Sequence, residues 1–591
     1  MSDDTVRYEP PESPPQLVSW SMGFQTCLLT VGPIALSPLV VAQAADMSDE
    51  YAQWAVFAAM LLAGLGTILQ AVQVWRVGAG YRITAGSSFA FIPLVTLALV
   101  EGGPPLVISL GLATSLVRIL MALRLSWLRR IVTPTVSGIF YMLIPVTLMP
   151  VIFGTIEDVP AGTSTGESLA VAALTMVAVG AVIFQPSAAW RMWAVLVGAV
   201  AGCVAAALLG FFDLSPIARA DWIGIPGRWP GFGLDFGPAF WSLLPAYVVV
   251  TLSTVIGTLG QAVTIQQVSW RRRRAVDYRA VQNVLTGDGL GNILYSLAAI
   301  MPSLTYPSTV TLTALTGVAA RRVGLYTGAL FVAMAFLPKL SALFFAIPKP
   351  VVSAFLTVLA AMMFAQGISL VAQGGSSQRH VFVVGVSFFL GVGFEFGMIP
   401  TGTGFWASIL GSGITAGGGT AILLTVLGDV ISLRRTRLAT EFDDSALPTV
   451  LAFADRWAER HGWNAAQTNR LRLICEETLA TLAEGAADEV APRRLRLSAA
   501  VDEGIAVLEF VSHAQGDNVA DLMAVLDKDV ATLPENDLSL RLLRGLATSV
   551  EHRQYHDVGI LTVRADLRAA GRWQRDCGQV STSPIWPRRR R

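Results

Sequence analysis

Charge is what this sequence has least of. Asp, Glu, Lys and Arg together make up 14% of its 591 residues, against 53% hydrophobic residues. A chain of ordinary soluble domains needs far more charge to cover its surface, so that class is excluded. Acids are absent altogether from 52 to 100 and from 289 to 394. Such stretches suit lipid or a bundle interior, where ionised groups are costly. Histidine is also scarce: five in all, four of them beyond residue 434, with His380 at the edge of an apolar run. The four cysteines, Cys27, Cys203, Cys475 and Cys577, have neither disulfide nor zinc spacing, and two lie in apolar runs as small core residues. No metal, cofactor or catalytic group is expected. A net charge of +1 gives no basis for nucleic-acid binding. The N-terminal string MSDDTVRYEPPESPPQ lacks the basic start and apolar run of a signal peptide, and residues 1–16 are expected to form a disordered cytoplasmic tail.

What is present is a succession of apolar stretches near the length of a spanning helix. They fall at 17–43, 53–75, 86–100, 104–124, 131–153, 168–185, 190–212, 238–262, 284–303, 305–319, 323–346, 351–373, 380–397 and 403–428. The expected fold is therefore a polytopic α-helical membrane protein of about 14 spans. With the N-terminus inside, Arg76, Arg82, Arg124, Arg129, Arg130, Arg191, the arginine run 271–274, Arg279, Arg321, Arg322, Arg379, Arg434, Arg435 and Arg437 fall on cytoplasmic loops and span ends. Only Arg219, Arg228, Lys339 and Lys349 fall outside. That bias puts both termini in the cytoplasm. The glycines around 411–419 have no following Lys-Ser/Thr, so they suit helix packing rather than a phosphate loop.

Two stretches are unlike continuous helices. Residues 81–93 (YRITAGSSFAFIP) begin with small polar residues, and residues 303–313 (SLTYPSTVTLT) carry Pro307 in a Ser/Thr-rich, β-branched run. They are the third and tenth stretches, equivalent positions in two halves of seven. Interrupted spans at matching positions point to a solute site in an inverted-repeat transporter. Broken backbone at that depth must line a cavity or be buried in protein.

The chain changes character near residue 434, where charge returns. A soluble domain is expected over 439–567 and a basic tail over 568–591, so the membrane domain spans 17–433.

Several strings resemble the nucleobase–ascorbate transporters, the xanthine/uracil permeases. They are GLGTILQ at 64–70, GSSFAFI at 86–92, GDGL at 287–290, ALTGV at 314–318, RRV at 321–323, PKPV at 348–351 and SGI at 412–414. The resemblance implies a seven-plus-seven inverted repeat with core and gate domains. It also implies short strands in spans three and ten, beside helix N-termini that face the substrate. It places the substrate among Ser87, Ser88, Phe89, Gly257, Gln261, Tyr306, Ser308 and Thr309. At two of these positions the family carries a carboxylate or amide that binds the base. Here Gly257 stands at the span-eight glutamate and Ser308 at the span-ten one, so both acidic anchors and the usual proton carrier for symport are missing. Asp288 matches a loop motif and is expected as a helix N-cap. Glu395 is expected to face water at the outer end of span thirteen.

Residues 439–567 resemble the GHKL ATPase domain in its anti-sigma-factor kinase branch, an α+β fold with an open sheet. The helix string LRLICEE at 471–477 would carry the general base at Glu477, and strands are expected at 494–501, 505–511 and 559–563. The nucleotide contacts are eroded: Thr481 replaces the metal-binding Asn, the stretch 512–516 lacks Asp-x-Gly, and Ser539 replaces a phosphate-loop glycine. The expected function is secondary transport of a nucleobase-like or other small polar solute across a bacterial inner membrane, with the cytoplasmic domain regulating it. A small-anion carrier of the same architecture, or a transport-inactive sensor signalling through the C-terminal domain, are the alternatives. Expected partners are the solute, membrane lipid, a second copy in a homodimer, and a cytoplasmic regulatory protein.

Overall fold

A computed structural model describes residues 6–125, 133–157, 164–373 (except 192, 211, 213, 214, 273 and 275), 378–400, 412–432, 436–484 (except 444), 494–512 (except 503 and 504) and 542–566 (except 544 and 557). The chain divides into a membrane unit and a C-terminal unit.

The membrane unit is built from α1 (Gln16–Ala44), α2 (Asp49–Val72), β1 (Ala85–Ser87), α3 (Ile92–Leu123), α4 (Pro134–Glu157), α5 (Thr165–Ile183), α6 (Ala194–Leu208), α7 (Pro238–Val268) and α8 (Tyr278–Leu297). It continues with β2 (Ser303–Thr305), α9 (Pro307–Thr316), α10 (Arg321–Ala335), α11 (Pro338–Phe345), α12 (Lys349–Gln373), α13 (Gln378–Glu395) and α14 (Gly413–Ser432). Local chemistry sets several of these ends. The Ser48 hydroxyl accepts from the Tyr51 N–H, and Asp49 and Glu50 complement the start of α2. Pro307 is the first residue of α9, where its missing N–H costs nothing. Gly317, at φ 68°, ends the same helix in the left-handed conformation. Gly103 (φ 65°), followed by Pro104 and Pro105, kinks α3 into two segments matching the stretches 86–100 and 104–124.

Among the described residues seven helices are long and apolar enough to cross a membrane, or eight if α10 and α11, bent by 80°, form one crossing. Length and apolarity alone thus establish fewer crossings than 14; α6 and the 413–428 part of α14 are shorter apolar helices. Part of the last expected span, 403–411, lies outside the described residues.

The helices pack in two groups. α1, α2 and α10 pack together, and α3 packs on α7. In the second group α4 packs on α12 and α13, and α5 on α6 and α12. Crossed glycines bring two helix pairs to backbone contact. A Cβ on Gly64 would lie 2.6 Å from the Gly328 carbonyl oxygen, joining α2 to α10. One on Gly138 would lie 2.6 Å from that of Gly367, joining α4 to α12. Small residues serve this way where no hydrophobic effect drives helices together.

Three expectations are corrected here. The N-terminal segment is not disordered throughout. Tyr8 bridges to Val318, Arg7 N–H donates to the Gly317 carbonyl at 2.7 Å, and Arg271 binds Glu12 at 2.7 Å. Its acids and backbone groups find basic and carbonyl partners on the membrane unit. Arg82 is not a loop charge. It is 1% exposed, and its guanidinium donates to the Val318 carbonyl (3.0 Å) and to Thr26 Oγ1. Glu395 is half-buried rather than free in water, accepting from the Gly413 N–H at 2.7 Å and so capping α14.

The C-terminal unit has a five-stranded antiparallel sheet in the order β3-β4-β5-β7-β6. Its strands are β3 (Thr436–Glu441), β4 (Arg494–Asp502), β5 (Ile505–Ser512), β6 (Ser549–Gln554) and β7 (Gly559–Ala565), with helices α15 (Ala446–Arg460) and α16 (Ala465–Glu484). Alternating Leu495, Leu497 and Ala499, then Ala506, Leu508 and Phe510, then Leu561 and Val563, share one core with Phe453, Trp457, Leu471 and Ile474 of the helices. The Cys475 thiol sits in that core, and burial pushes it up to about 12, so it is inert at neutral pH. β3 and β6 are additions to the expected strands. Both are edge strands, and their polar sequences (TRLATE and SVEHRQ) hide the alternation that marks β4 and β5. Cys577, Ser539 and the stretches 513–516 and 568–591 lie outside the described residues.

His552 on β6 is 8% exposed, and burial lowers its imidazole to about 4. The unfolded chain, titrating at the ordinary value, binds the proton first. Stability from this residue is therefore complete above about pH 6.5 and lost as pH falls from there toward 4. Chemical denaturation of a 436–591 fragment between pH 7.5 and 4.5 should show a loss on the order of 2–3 kcal/mol that His552→Gln removes. An unchanged acid slope in the variant would refute the assignment.

Candidate functional site

The two interrupted stretches meet. β1 and β2 pair antiparallel, with Ala85 opposite Thr305, Gly86 opposite Leu304 and Ser87 opposite Ser303. The Ser88 N–H donates to the Pro302 carbonyl and the Tyr306 N–H to the Thr84 carbonyl, both at 2.9 Å. The Tyr306 hydroxyl reaches back to the Ser87 carbonyl at 2.8 Å. Gly86 is needed at the crossing: a Cβ there would run into the Tyr306 ring and lie 2.6 Å from Ile34 Cγ1.

A two-stranded sheet leaves its outer backbone groups open, and lipid cannot satisfy them. Side chains from three helices do so. Thr67 of α2 accepts from the Ala85 N–H at 3.2 Å. Asn292 of α8 accepts from the Ser303 N–H at 2.6 Å and donates to the Asp288 carbonyl at 2.8 Å. Arg118 of α3 lies 3.4 Å from the Ser303 carbonyl. Arg118 also forms an ion pair with Asp288, both side chains 1% exposed, and donates to Thr254 Oγ1 of α7 at 2.6 Å. Asp288 in turn accepts from the Ser303 hydroxyl at 3.4 Å. One charged pair thus ties α3, α7 and α8 to the tenth stretch. Asp288 is not the expected N-cap: it lies inside α8 with a full turn before it, and its partner is a cation.

The expected binding residues distribute as follows. Ser87 ends β1, Ser88 and Phe89 form the turn into α3, and Tyr306 precedes α9. Ser308 and Thr309 occupy the first turn of α9, where backbone N–H groups have no intrahelical partner. Gly257 and Gln261 are one turn apart on α7, and α7 packs against β2, α9 and the 89–91 turn. Phe91 and Tyr247 pack in a tilted pair with centroids 5.6 Å apart, seating that turn on α7. The hydroxyls of Ser87, Ser88, Thr305, Ser308 and Thr309 are all buried and have no hydrogen-bond partner among the described residues. Each such group costs on the order of 1–3 kcal/mol if left so. The chemistry offered is hydrogen bonding without charge.

Sequence reasoning missed Arg118 and Tyr141. Arg118 had a signal, being the sole charged residue from 104 to 123. Tyr141 of α4, whose hydroxyl lies against Gly257, had none, because that contact depends on which helix faces α7.

In the C-terminal unit, Glu477 is half-buried on α16 and Glu476 exposed. Thr481, at the metal-binding position, is 4% exposed and its hydroxyl donates to the Glu477 carbonyl at 2.7 Å. That hydroxyl is committed to its own helix, so the site is a degenerate one.

This geometry is that of a membrane permease. Residues 18–399 match the Permease family of xanthine/uracil permeases, and the chain belongs to it, as a multi-pass membrane protein. Residues 440–565 match the histidine kinase-like ATPase domain. Among curated relatives, a putative purine permease of Clostridium perfringens is 28% identical over 433 residues, covering 71% of this chain and 92% of that one. Xanthine permease XanQ of Escherichia coli is 28% identical, covering 67% and 88%. Uric acid permease PucK of Bacillus subtilis is 25% identical, covering 68% and 94%. Of solved structures, the transmembrane domain of the cyanobacterial bicarbonate transporter BicA aligns at 17% identity and TM-score 0.42, covering 72% of this chain and 98% of that one. Murine SLC26A9 in its inward-facing state aligns at 11% and 0.47, covering 72% and 70%.

Proposed function

We propose that this permease carries a neutral, nucleobase-like solute across the bacterial cell membrane, binding it between the β1–β2 strands, α7 and the start of α9. The observation that carries this reading is the group of five buried, unpartnered hydroxyls around the paired strands. Hydroxyls donate or accept as needed, which suits the mixed N–H and carbonyl edge of a base. Arg118, which lies beside the Ser303 carbonyl of β2, is neutralised by Asp288, which favours a neutral solute over an anion. The purine, xanthine and uric acid permeases among the relatives agree with that chemistry. The C-terminal domain is a cytoplasmic regulatory module that binds a protein rather than hydrolysing ATP. Its committed Thr481 supports that reading.

Uptake of radiolabelled xanthine, uracil and uric acid into proteoliposomes, with sulfate and bicarbonate as controls, tests the solute. At least one base should accumulate, and Ser88→Trp or Ser308→Trp should abolish its uptake in folded protein. Accumulation of an anion alone, or full uptake in both variants, would refute the proposal. A reporter joined after Arg437 in place of the C-terminal domain should be active only in its cytoplasmic form and should leave uptake measurable. A periplasmic signal would contradict the orientation, and lost uptake the regulatory role.

A further inference from the structure

Gly257 stands where the resemblance places a binding carboxylate, and the structure shows what fills the space. A Cβ built on Gly257 would collide with the hydroxyl of Tyr141 and lie 3.3 Å from its Cζ and 3.7 Å from its Cε2. The phenol tip is therefore seated against the Gly257 backbone. Any larger residue at 257 must displace it, and a glutamate there cannot coexist with Tyr141 in this position. Tyr141 comes from α4, in the helix group opposite the one that carries the paired strands. Its neighbours are committed to packing within that group: Gly138 meets Gly367 of α12, and Phe140 fills the space beside Gly418 of α14. Tyr141 meets α7 at Gly257. It is partly exposed, and its hydroxyl has no hydrogen-bond partner among the described residues.

We propose that Tyr141 is a specificity-determining residue of this permease, its phenol taking the place of the absent carboxylate as a polar anchor for solute beside Gly257 and Gln261. The exchange alters the chemistry. A carboxylate only accepts hydrogen bonds and brings a negative charge, whereas a phenol donates as well and is neutral. The site then favours a solute that presents a carbonyl oxygen or ring nitrogen toward α4, and its occupancy does not require a charged side chain. Because the anchor sits on the opposite helix group, solute is held between the two groups rather than by one. Gly257 is the enabling residue, since it leaves room for the ring.

The inference rests on the nucleobase reading for its choice of solute, but the position of Tyr141 is tested without solute. In full-length purified protein, thermal midpoints are compared for wild type, Gly257→Ala, Tyr141→Phe and the double variant. Gly257→Ala should lower the midpoint, Tyr141→Phe should change it little, and the double variant should regain most of the loss, because removing the hydroxyl leaves Cζ as the nearest ring atom. Additive effects would overturn the contact. Xanthine uptake then tests the role. Tyr141→Phe should raise KM about tenfold with the maximal rate retained, the size of one hydrogen bond lost from binding. A KM unchanged from a transporting wild type would overturn the proposal. If wild type moves no base at all, the nucleobase reading and the anchoring role both fail, and the thermal comparison still decides the contact between Tyr141 and Gly257.

Discussion

The buried ion pair between Arg118 and Asp288 is the constraint on which the membrane unit depends. Both side chains are 1% exposed. Charges so placed are tolerated only when paired and further hydrogen-bonded, and these are. The remaining donors and acceptors reach Thr254, the Ser303 carbonyl and the Ser303 hydroxyl. Asn292, one turn beyond Asp288, takes the Ser303 N–H. Two helices, α3 and α8, therefore converge on a single strand residue, and α7 joins them through Arg118. Without them β2 would present open backbone groups in a region where water cannot satisfy them, and β1 would have no partner.

With the strands fixed, the proposed solute site follows. The sheet sets Ser87 and Thr305 beside one another's strand, and the turns at each end set Ser88 and the first residues of α9. Arg118 and Asp288 cancel one another, and the residues proposed to meet solute offer hydroxyls and helix-start N–H groups. The absent carboxylates at Gly257 and Ser308 are thus part of a coherent arrangement. A neutral site needs no anionic side chain, and the room that Gly257 leaves is taken by a phenol.

Much of this was legible in the sequence because it followed from local rules. Pro307 inside an apolar stretch could only begin a helix or break one, and it begins α9. The small polar run before Phe89 could not be an ordinary span, and it is β1 with its turn. The alternation of Val507 and Glu509 announced β5. What the sequence hid was set by distant neighbours. Asp288 looked like a helix start because it follows two small residues, and only the approach of α3 shows it to be half of an ion pair. Arg82 looked like a loop charge because it sits in a short polar linker, yet the carbonyls of Val318 and Met22 and the Thr26 hydroxyl draw it inside. The edge strands β3 and β6 carry polar residues on both faces, which removes the period that reveals a strand. Tyr141 carries no local mark at all.

The central claim is that one ion pair holds the paired strands in place, and thermal unfolding of the full-length protein in Arg118→Met, Asp288→Leu and the combined variant measures it most directly. Each single change leaves a buried charge unpaired and should cost about 3–5 kcal/mol, seen as a sharp fall in midpoint and in folded yield. The combined change removes both charges and should recover most of that loss. Single variants as stable as wild type, or a combined variant worse than either, would contradict the account.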